Sequence, residues 1–448
     1  MNVYRAGYWT TLVFFLVDLG QVHTMVPGLR YLKLGFVSQT ILLALVVLEI
    51  GRVKWLKPMA IARIAFFLGV VICTIFAINM GMARRVITTE FFRVFAGFLG
   101  FCIFVRTGED LKKIHWIIVV LCLATALWTL VYGGHGPGML YDENDVAMVL
   151  VMLLPFSFLK IYTESSPKKI AFLLAVFMIT LGGIAATLSR GGMVGALPTL
   201  AFIWLKAKHK VRNAVILFLV LVAAVLTAPP KLISEFNSIK ETDQGTAKSR
   251  RYFWHLSTQL FQARPLTGVG PACWYHGVWS GLIPNPGQVS NITPHSVYFQ
   301  LISEMGMVGI ATWGGFVITM CFVLYGMRDA RLSRESGLLL MHARGDPLLV
   351  RDLHRRRLFF GSFSLAIGVG LCGFLLSGTF LSVVYYPQLF ALGALAQAVR
   401  TCWDNDLMVS LATLGIRRPA AGPKQTIRKI AERPTLSPGP EGPEPQAS

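Results

Sequence analysis

The chain has 448 residues, of which 54% are hydrophobic, 12% aromatic and only 14% charged, with a mean hydropathy of +0.59. That composition excludes an ordinary water-soluble domain and implies an all-α, polytopic integral membrane protein. The formal charge of +20 sits on short loops between apolar runs, so it reads as an orientation signal and requires no nucleic-acid partner.

Apolar runs approaching the ~20 residues needed to cross a bilayer follow one another at approximately 9–27, 34–50, 61–79, 86–105, 114–132, 146–163, 170–187, 189–205, 213–228, 296–325, 358–378 and 382–400. This predicts about twelve transmembrane helices. The first run contains Asp18 and His23, and the eighth is short and contains Pro198, features that oppose a simple crossing. The opening stretch "MNVYRAGYWTTLVFFLVDLGQ" has one basic residue before its apolar run and no small-x-small cleavage site, and reads as an uncleaved anchor.

Lys and Arg beside a span are retained on the cytoplasmic side. Alternate loops hold Arg52, Lys54 and Lys57; Arg106, Lys112 and Lys113; Lys160, Lys168 and Lys169; Lys206, Lys208, Lys210 and Arg212; and the cluster from Arg328 to Arg357. Those loops, and both termini, are predicted to face the cytoplasm.

The one long outward loop, 229–294, opens at Pro229-Pro230 and closes at Pro294. Within it, Phe253, Leu256, Leu260 and Phe261 have helical spacing before a Pro/Gly break, which predicts a re-entrant or interface-lying helix followed by a turn. The cytoplasmic loop 326–357 is rich in arginine and is expected to carry a short surface helix, its basic residues serving orientation. The tail, 401–448, ends in "PTLSPGPEGPEPQAS", which cannot bury a core and is expected to be largely disordered. The seven cysteines form no disulfide framework, and no Cys/His spacing suits zinc, so no zinc site is expected.

Charged residues on the outward side carry the most information, because topology has stripped that side of Lys and Arg. Arg190 lies in "TLSRGGMVG" beside Gly191 and Gly192. A guanidinium fork and backbone amides at one point suit a phosphate; an arginine snorkelling to lipid headgroups is the plainer alternative. Arg250, in "SRRYFW", shares a helix face with Trp254 four residues on, and Arg251 and Arg264 are near enough to substitute for it. Lipid-headgroup binding is again the alternative.

His295 follows Pro294 at the mouth of the tenth span. An imidazole there can take a proton from an attacking hydroxyl or donate to a phosphate oxygen, or it can be a helix cap. On a continuous helix Gly306 falls on about the same face as His295, with Gly309 close by, and another helix can approach there. Glu304 falls roughly opposite, near Gln300, and reads as a structural hydrogen-bonder in preference to a catalytic acid. In "GGHGPGMLYDENDVAM", Asp142, Glu143 and Asp145 precede the sixth span as an N-cap arrangement or, alternatively, as oxygen ligands for a divalent metal.

"HSVYFQLISEMGMVG" has the order His, Ser, nine residues, Gly-x-x-Gly, and resembles the signature of the O-antigen ligase family with its relatives, the O-antigen polymerases and protein O-oligosaccharyltransferases. "YDENDVAMVLVMLLP", with Asn144 and Asp145, "SRGG", "SRRYFW", "RPLTGVG" and "FLSVVYYP" look like further segments of that family in the same order. The last, with the arginine-rich loop, looks most like probable O-glycosylation ligases of exosortase systems. The resemblance divides the chain into N-terminal helices, 1–113, an O-antigen ligase-like core, 114–400, and the tail.

The resemblance implies a GT-C-like membrane glycosyltransferase with one large periplasmic loop, set in a bacterial inner membrane and metal-independent. It implies a polyprenyl-pyrophosphate glycan as donor and a hydroxyl on a glycan, lipid A core or protein as acceptor. By the same resemblance Arg190 and Arg250 match the arginines that engage the pyrophosphate, and His295 matches the essential histidine. A lipid-linked glycan transporter is the alternative of a different class. No internal repeat is visible, which disfavours inverted-repeat transporters, and a transporter would spread charge along a two-sided path.

Overall fold

The computed structural model describes residues 3–26, 28–206, 246–287, 289, 293–328, 331–332, 336–337, 339 and 347–413. Among them the regular elements are helical and no strand occurs. The main helices are α1 (Val3–Phe14), α2 (Leu34–Glu49), α3 (Pro58–Ile75), α4 (Phe92–Phe104), α5 (Gly108–Val131), α6 (Glu143–Lys160), α7 (Pro167–Ala186), α8 (Arg190–Lys206), α9 (Thr246–Ala263), α10 (Val297–Tyr325), α11 (Pro347–Ser377) and α12 (Pro387–Thr413).

Local chemistry explains many of the starts. Pro58 and Pro167 occupy the first helical position, where a missing N–H costs nothing. Thr107 and Asp110 form a reciprocal capping box on α5. Asp142 caps α6 by accepting from the Asn144 amide.

Among the described residues six segments are long and apolar enough to cross a membrane: Pro58–Ile75, Gly108–Val131, Glu143–Thr163, Pro167–Ala186, Val297–Tyr325 and Pro347–Phe380. Shorter apolar helices are Leu34–Glu49, Val94–Phe104 and Arg190–Leu205. The chain is thus a polytopic α-helical membrane protein, while the described residues do not reproduce all of the expected spans, about twelve in number. The first expected span ends early: α1 passes into a π-helical turn, Phe15–Leu19, and Gln21 then takes a left-handed φ of 51°. The expected span 213–228 lies outside the described residues. At the twelfth, residues 381–386 are irregular and the helix begins only at Pro387.

α12 also continues where a disordered tail was expected, through 401–413. The reason is a buried stripe: Cys402 and Trp403 lie in the main core, and Leu411 packs with Leu339 and Leu353. An Arg400–Asp404 ion pair at 2.9 Å supports the same turn. In the arginine-rich loop, residues 347–357 are the first turns of α11.

α6 is the central post. Its apolar window is 72% buried, against 22% for α10, so α6 is enclosed by protein while α10 keeps a broad outer face. α6 packs chiefly on α11, α7, α5 and α8, and α8 packs on α11; α3 lies along α10 and α9 crosses α10. Phe253, Leu256 and Leu260 of α9 are buried with Trp274, Val269 and Val278 in a satellite core. The expected outward-loop helix is therefore α9, and it buries its apolar face on protein.

Candidate functional site

α10 is broken at Gly306, whose φ of 56° and ψ of −146° are non-helical. The turn 265–270 replaces the lost helical hydrogen bonds. Met307 and Val308 amides donate to the carbonyls of Pro265 (2.8 Å) and Leu266 (3.0 Å). Val269 and Gly270 amides donate to the carbonyls of Ser303 and Glu304, both at 2.9 Å.

A Cβ on residue 306 would stand 2.5 Å from the Pro265 carbonyl oxygen, so Gly306 admits a backbone turn where a helix was expected. Gly309 likewise relieves its own helix, since a Cβ there would meet Met305 at 2.4 Å. The expected common face of His295 and Gly306 fails for this reason, and also because His295 precedes the helix with a φ of 51°.

Glu304, 1% exposed, ties this break to the chain ahead of α12. Its Oε2 accepts from the Ala272 amide (3.0 Å), the Gln300 side-chain amide (3.3 Å) and the Tyr385 hydroxyl (2.9 Å). Gln300 Oε1 accepts from the Val384 amide at 3.2 Å. The carboxylate is therefore saturated with structural partners.

Next to this frame, the starts of α6, α8 and α10 meet the end of α11. Ser189 donates to Asn144 Oδ1 at 2.8 Å, linking the start of α8 to that of α6. Ser377 donates to the Gly191 carbonyl at 3.1 Å, linking α11 to α8. Val297 lies against Gly378 at about the van der Waals limit, a Cβ on Gly378 falling 3.1 Å from it. Helix N-termini carry partial positive charge, so three of them side by side favour an anion.

The charged side chains share this place. Arg250 on α9 stands with its guanidinium carbon 5.8 Å from the Phe380 ring centre, and Phe380 in turn lies against Gly191, beside Arg190. Burial, followed by repulsion from Arg190, lowers the Arg250 pKa, with Asp142 opposing. Burial, followed by the Arg250 cation, likewise pushes His295 below the ordinary imidazole value of 6.5, again with Asp142 opposing. Arg250, on α9, is thus electrostatically coupled to Arg190, Asp142 and His295, which come from three other parts of the chain. Two mutually repelling guanidinium groups and a neutral imidazole form an arrangement that a bound polyanion would relieve.

His295 is in the left-handed region, rare for a residue with a side chain and typical of positions held for function. Neighbouring Ser296 is 1% exposed and its Oγ has no hydrogen-bond partner.

The other candidates divide. Trp254 stacks on Phe299, with ring centres 5.0 Å apart and planes 9° apart, so it fixes α9 on α10 below Arg250. Arg251 is exposed. Arg264 lies fourteen residues along α9 from Arg250, about 21 Å by helical rise, and donates to the Phe76 carbonyl at 2.8 Å. It caps the end of α3 and is separate from the cluster. Gly192 donates its amide to Ser189 Oγ at 3.1 Å, so that amide is occupied. A Cβ there would fall 2.5 Å from that of Ala147, which makes it a packing glycine between α8 and α6.

The three acids also diverge. Asp142 accepts from the Asn144 amide (2.9 Å), Glu143 faces His135 (3.5 Å), and Asp145 accepts from the Tyr386 hydroxyl (2.9 Å). Among the described residues no group of three His, Cys, Asp or Glu side chains is placed to hold a metal ion.

Ser189, Ser377, Phe380 and Tyr386 belong to this site but were not singled out from the sequence. Ser189 had a signal, a serine three residues before the Gly192 amide it caps. Phe380 and Tyr386 lie in the segment "FLSVVYYP", but their roles, like that of Ser377, arise from contacts with residues far away in the chain.

The fold and site define a polytopic membrane protein with a cationic cluster at a junction of helix ends. Residues 174–314, which hold Arg190, Arg250, His295 and Gly306, match the O-antigen ligase family. No curated protein matches the chain. The match over this segment supports a membrane glycosyl-transfer activity of the ligase or polymerase type.

Proposed function

We propose that the protein moves a glycan from a polyprenyl-pyrophosphate donor to an acceptor hydroxyl at the outer face of a bacterial inner membrane, without a metal. The observation that supports this reading is the position of Arg250 on α9 over Phe380, which lies against Gly191 beside Arg190 at the start of α8, with His295 near enough to feel the Arg250 cation.

In the reaction the acceptor oxygen attacks the anomeric carbon and the bond from that carbon to the pyrophosphate oxygen breaks, its electron pair leaving with the diphosphate. Negative charge grows on the leaving group, so guanidinium groups fixed in a water-poor pocket stabilise the transition state more than the bound donor. Loss of one such contact costs about 3 kcal/mol, or roughly a hundredfold in rate. His295 accepts the hydroxyl proton; its lowered pKa keeps the ring neutral and able to do so near pH 7. In the alternative role it holds a phosphate oxygen.

Ligase, polymerase and protein transferase share this chemistry and differ in the acceptor. The test is transfer by the purified chain in proteoliposomes from a defined lipid-linked glycan to lipid A core, to a second glycan, and to a Ser/Thr peptide. Labelling of one acceptor, lost in Arg190→Ala, supports the reading; movement of donor across the bilayer with no transfer to any acceptor would replace it with transport.

A further inference from the structure

A cavity of about 280 Å³ lies beside the cationic cluster, lined by Asp18, Gln21, Met139, Leu140, Tyr386 and Gln388 among others. The N-terminus of α6 is bonded to both. Asn144 faces one way and holds Ser189, next to Arg190. Asp145, turned about 100° from it around the helix, accepts from the Tyr386 hydroxyl at 2.9 Å, and Tyr386 lines the cavity.

The walls are built from constrained parts. Asp18 lies in the π-helical turn Phe15–Leu19, a local form that is frequent at functional sites. Gln21 has a left-handed backbone and is fixed at both ends of its amide: Nε2 donates to the Asp18 carbonyl at 2.7 Å and Oε1 accepts from the Met139 amide at 3.4 Å. Gln388 is only 8% exposed, and its Oε1 is buried without a hydrogen-bond partner. An orphaned amide oxygen in a protein interior is costly and calls for a donor from outside the chain.

The chemistry selects the ligand. The cavity carries a carboxylate, two primary amides and a phenol against the apolar Met139 and Leu140, and no Lys or Arg is among its described lining residues. The Asp18 carboxylate disfavours an anion such as phosphate here. Carboxylates and amides accept and donate to hydroxyl groups, while aliphatic walls suit the C–H face of a ring. The volume lies just below the ~300–1,000 Å³ of pockets that enclose whole drug-sized ligands, which suits one sugar ring.

We infer that this cavity is a subsite for a neutral, hydroxyl-bearing sugar ring, connected to the cationic cluster through the Tyr386–Asp145 hydrogen bond and α6, and that Gln388 and Asp18 are its recognising groups. The inference deepens the glycan-transfer reading and rests on it for the identity of the neighbouring anion. With it, Asp145 and Tyr386 become the link between sugar and diphosphate sites.

The test measures both sites separately on the purified full chain. Saturation-transfer NMR with methyl glycosides of neutral hexoses and N-acetylhexosamines reads the sugar subsite, and calorimetric titration with inorganic pyrophosphate reads the cationic cluster. At least one glycoside is expected to bind, and Gln388→Leu is expected to weaken it about tenfold or more while pyrophosphate binding is unchanged. Arg190→Ala should give the reverse pattern. Should Gln388→Leu also lose pyrophosphate, the fold is disturbed and the near-isosteric Asp18→Asn is read in its place, with the same expectation.

Binding of no glycoside by the wild type, or wild-type glycoside affinity in a variant that still binds pyrophosphate, overturns the inference. So does loss of pyrophosphate by both variants, because it makes the cavity part of the fold's support. Glycoside binding that survives alongside a wild type unable to bind pyrophosphate would instead remove the glycan-transfer reading and leave the sugar subsite standing.

Discussion

Ser189 donates its hydroxyl hydrogen to Asn144 Oδ1 at 2.8 Å and in the same position accepts the Gly192 amide at 3.1 Å. One hydroxyl thereby caps α8 and pins it to α6, fixing Arg190 at the first position of a helix that starts immediately after Ser189. Ser189→Ala removes both bonds. Its cost is expected at about 1–2 kcal/mol, together with a fall in transfer rate larger than the loss of folded protein accounts for. Thermal unfolding followed by size-exclusion chromatography, compared with the transfer assay, measures the two separately.

The pH dependence distinguishes the two roles of His295. Burial and the Arg250 cation lower its pKa, so the charged ring is disfavoured in the folded site. If the neutral ring takes the acceptor proton, transfer is level through neutral pH and falls on acidification with a midpoint below 6.5. Asp142 opposes the lowering, so Asp142→Asn is expected to move that midpoint to still lower pH. A rate that rises as pH falls through this range would assign His295 to phosphate holding instead.

Gly192 tests the close approach of α8 to α6. A methyl group at this position would stand 2.5 Å from the Ala147 Cβ, so Gly192→Ala is expected to destabilise by about 1–3 kcal/mol through overpacking. Adding Ala147→Gly removes the opposing carbon and should restore most of the loss. A thermal-shift double-mutant cycle reads the coupling, and additive losses would refute the contact.

Glu304 and Gly306 carry the frame under the site. Glu304→Ala leaves the Ala272 amide, the Gln300 amide and the Tyr385 hydroxyl without their shared acceptor, a loss of about 3 kcal/mol or more. Glu304→Gln keeps one oxygen and should cost less. Gly306→Ala imposes both a left-handed backbone and a clash with Pro265. Protease sensitivity in the 265–272 turn should rise in Glu304→Ala and Gly306→Ala before global unfolding.

The helical membrane class was legible in the sequence, because apolar length alone decides it. So was α9: Phe253, Leu256 and Leu260 repeat at helical spacing and do become buried together. The break at Gly306 was not legible. Residues 296–325 read as one span despite Gln300 and Glu304, and glycine is common in membrane helices, so the sequence does not mark where the Pro265–Gly270 turn is inserted.

The first and last expected spans differ for related reasons, since Gln21 and the 381–386 segment are held by distant partners: Met139, Gln300 and Asp145. Ser377 and Phe380 were invisible for the same reason, being defined only by contact with Gly191 and, for Phe380, with Arg250 as well.

The central claim is that Arg190, Arg250 and His295 form one diphosphate-handling centre. Its most direct measurement is single-turnover glycan transfer in proteoliposomes from a purified polyprenyl-pyrophosphate glycan, comparing the wild type with Arg190→Ala, Arg250→Ala, His295→Ala and the paired variants. Each single variant, inserted at wild-type abundance, is predicted to lose roughly a hundredfold or more, and the pairs to lose less than the product of the singles because the groups act as a unit. Unimpaired transfer by any of the three, or fully multiplicative losses in the pairs, would contradict a shared centre.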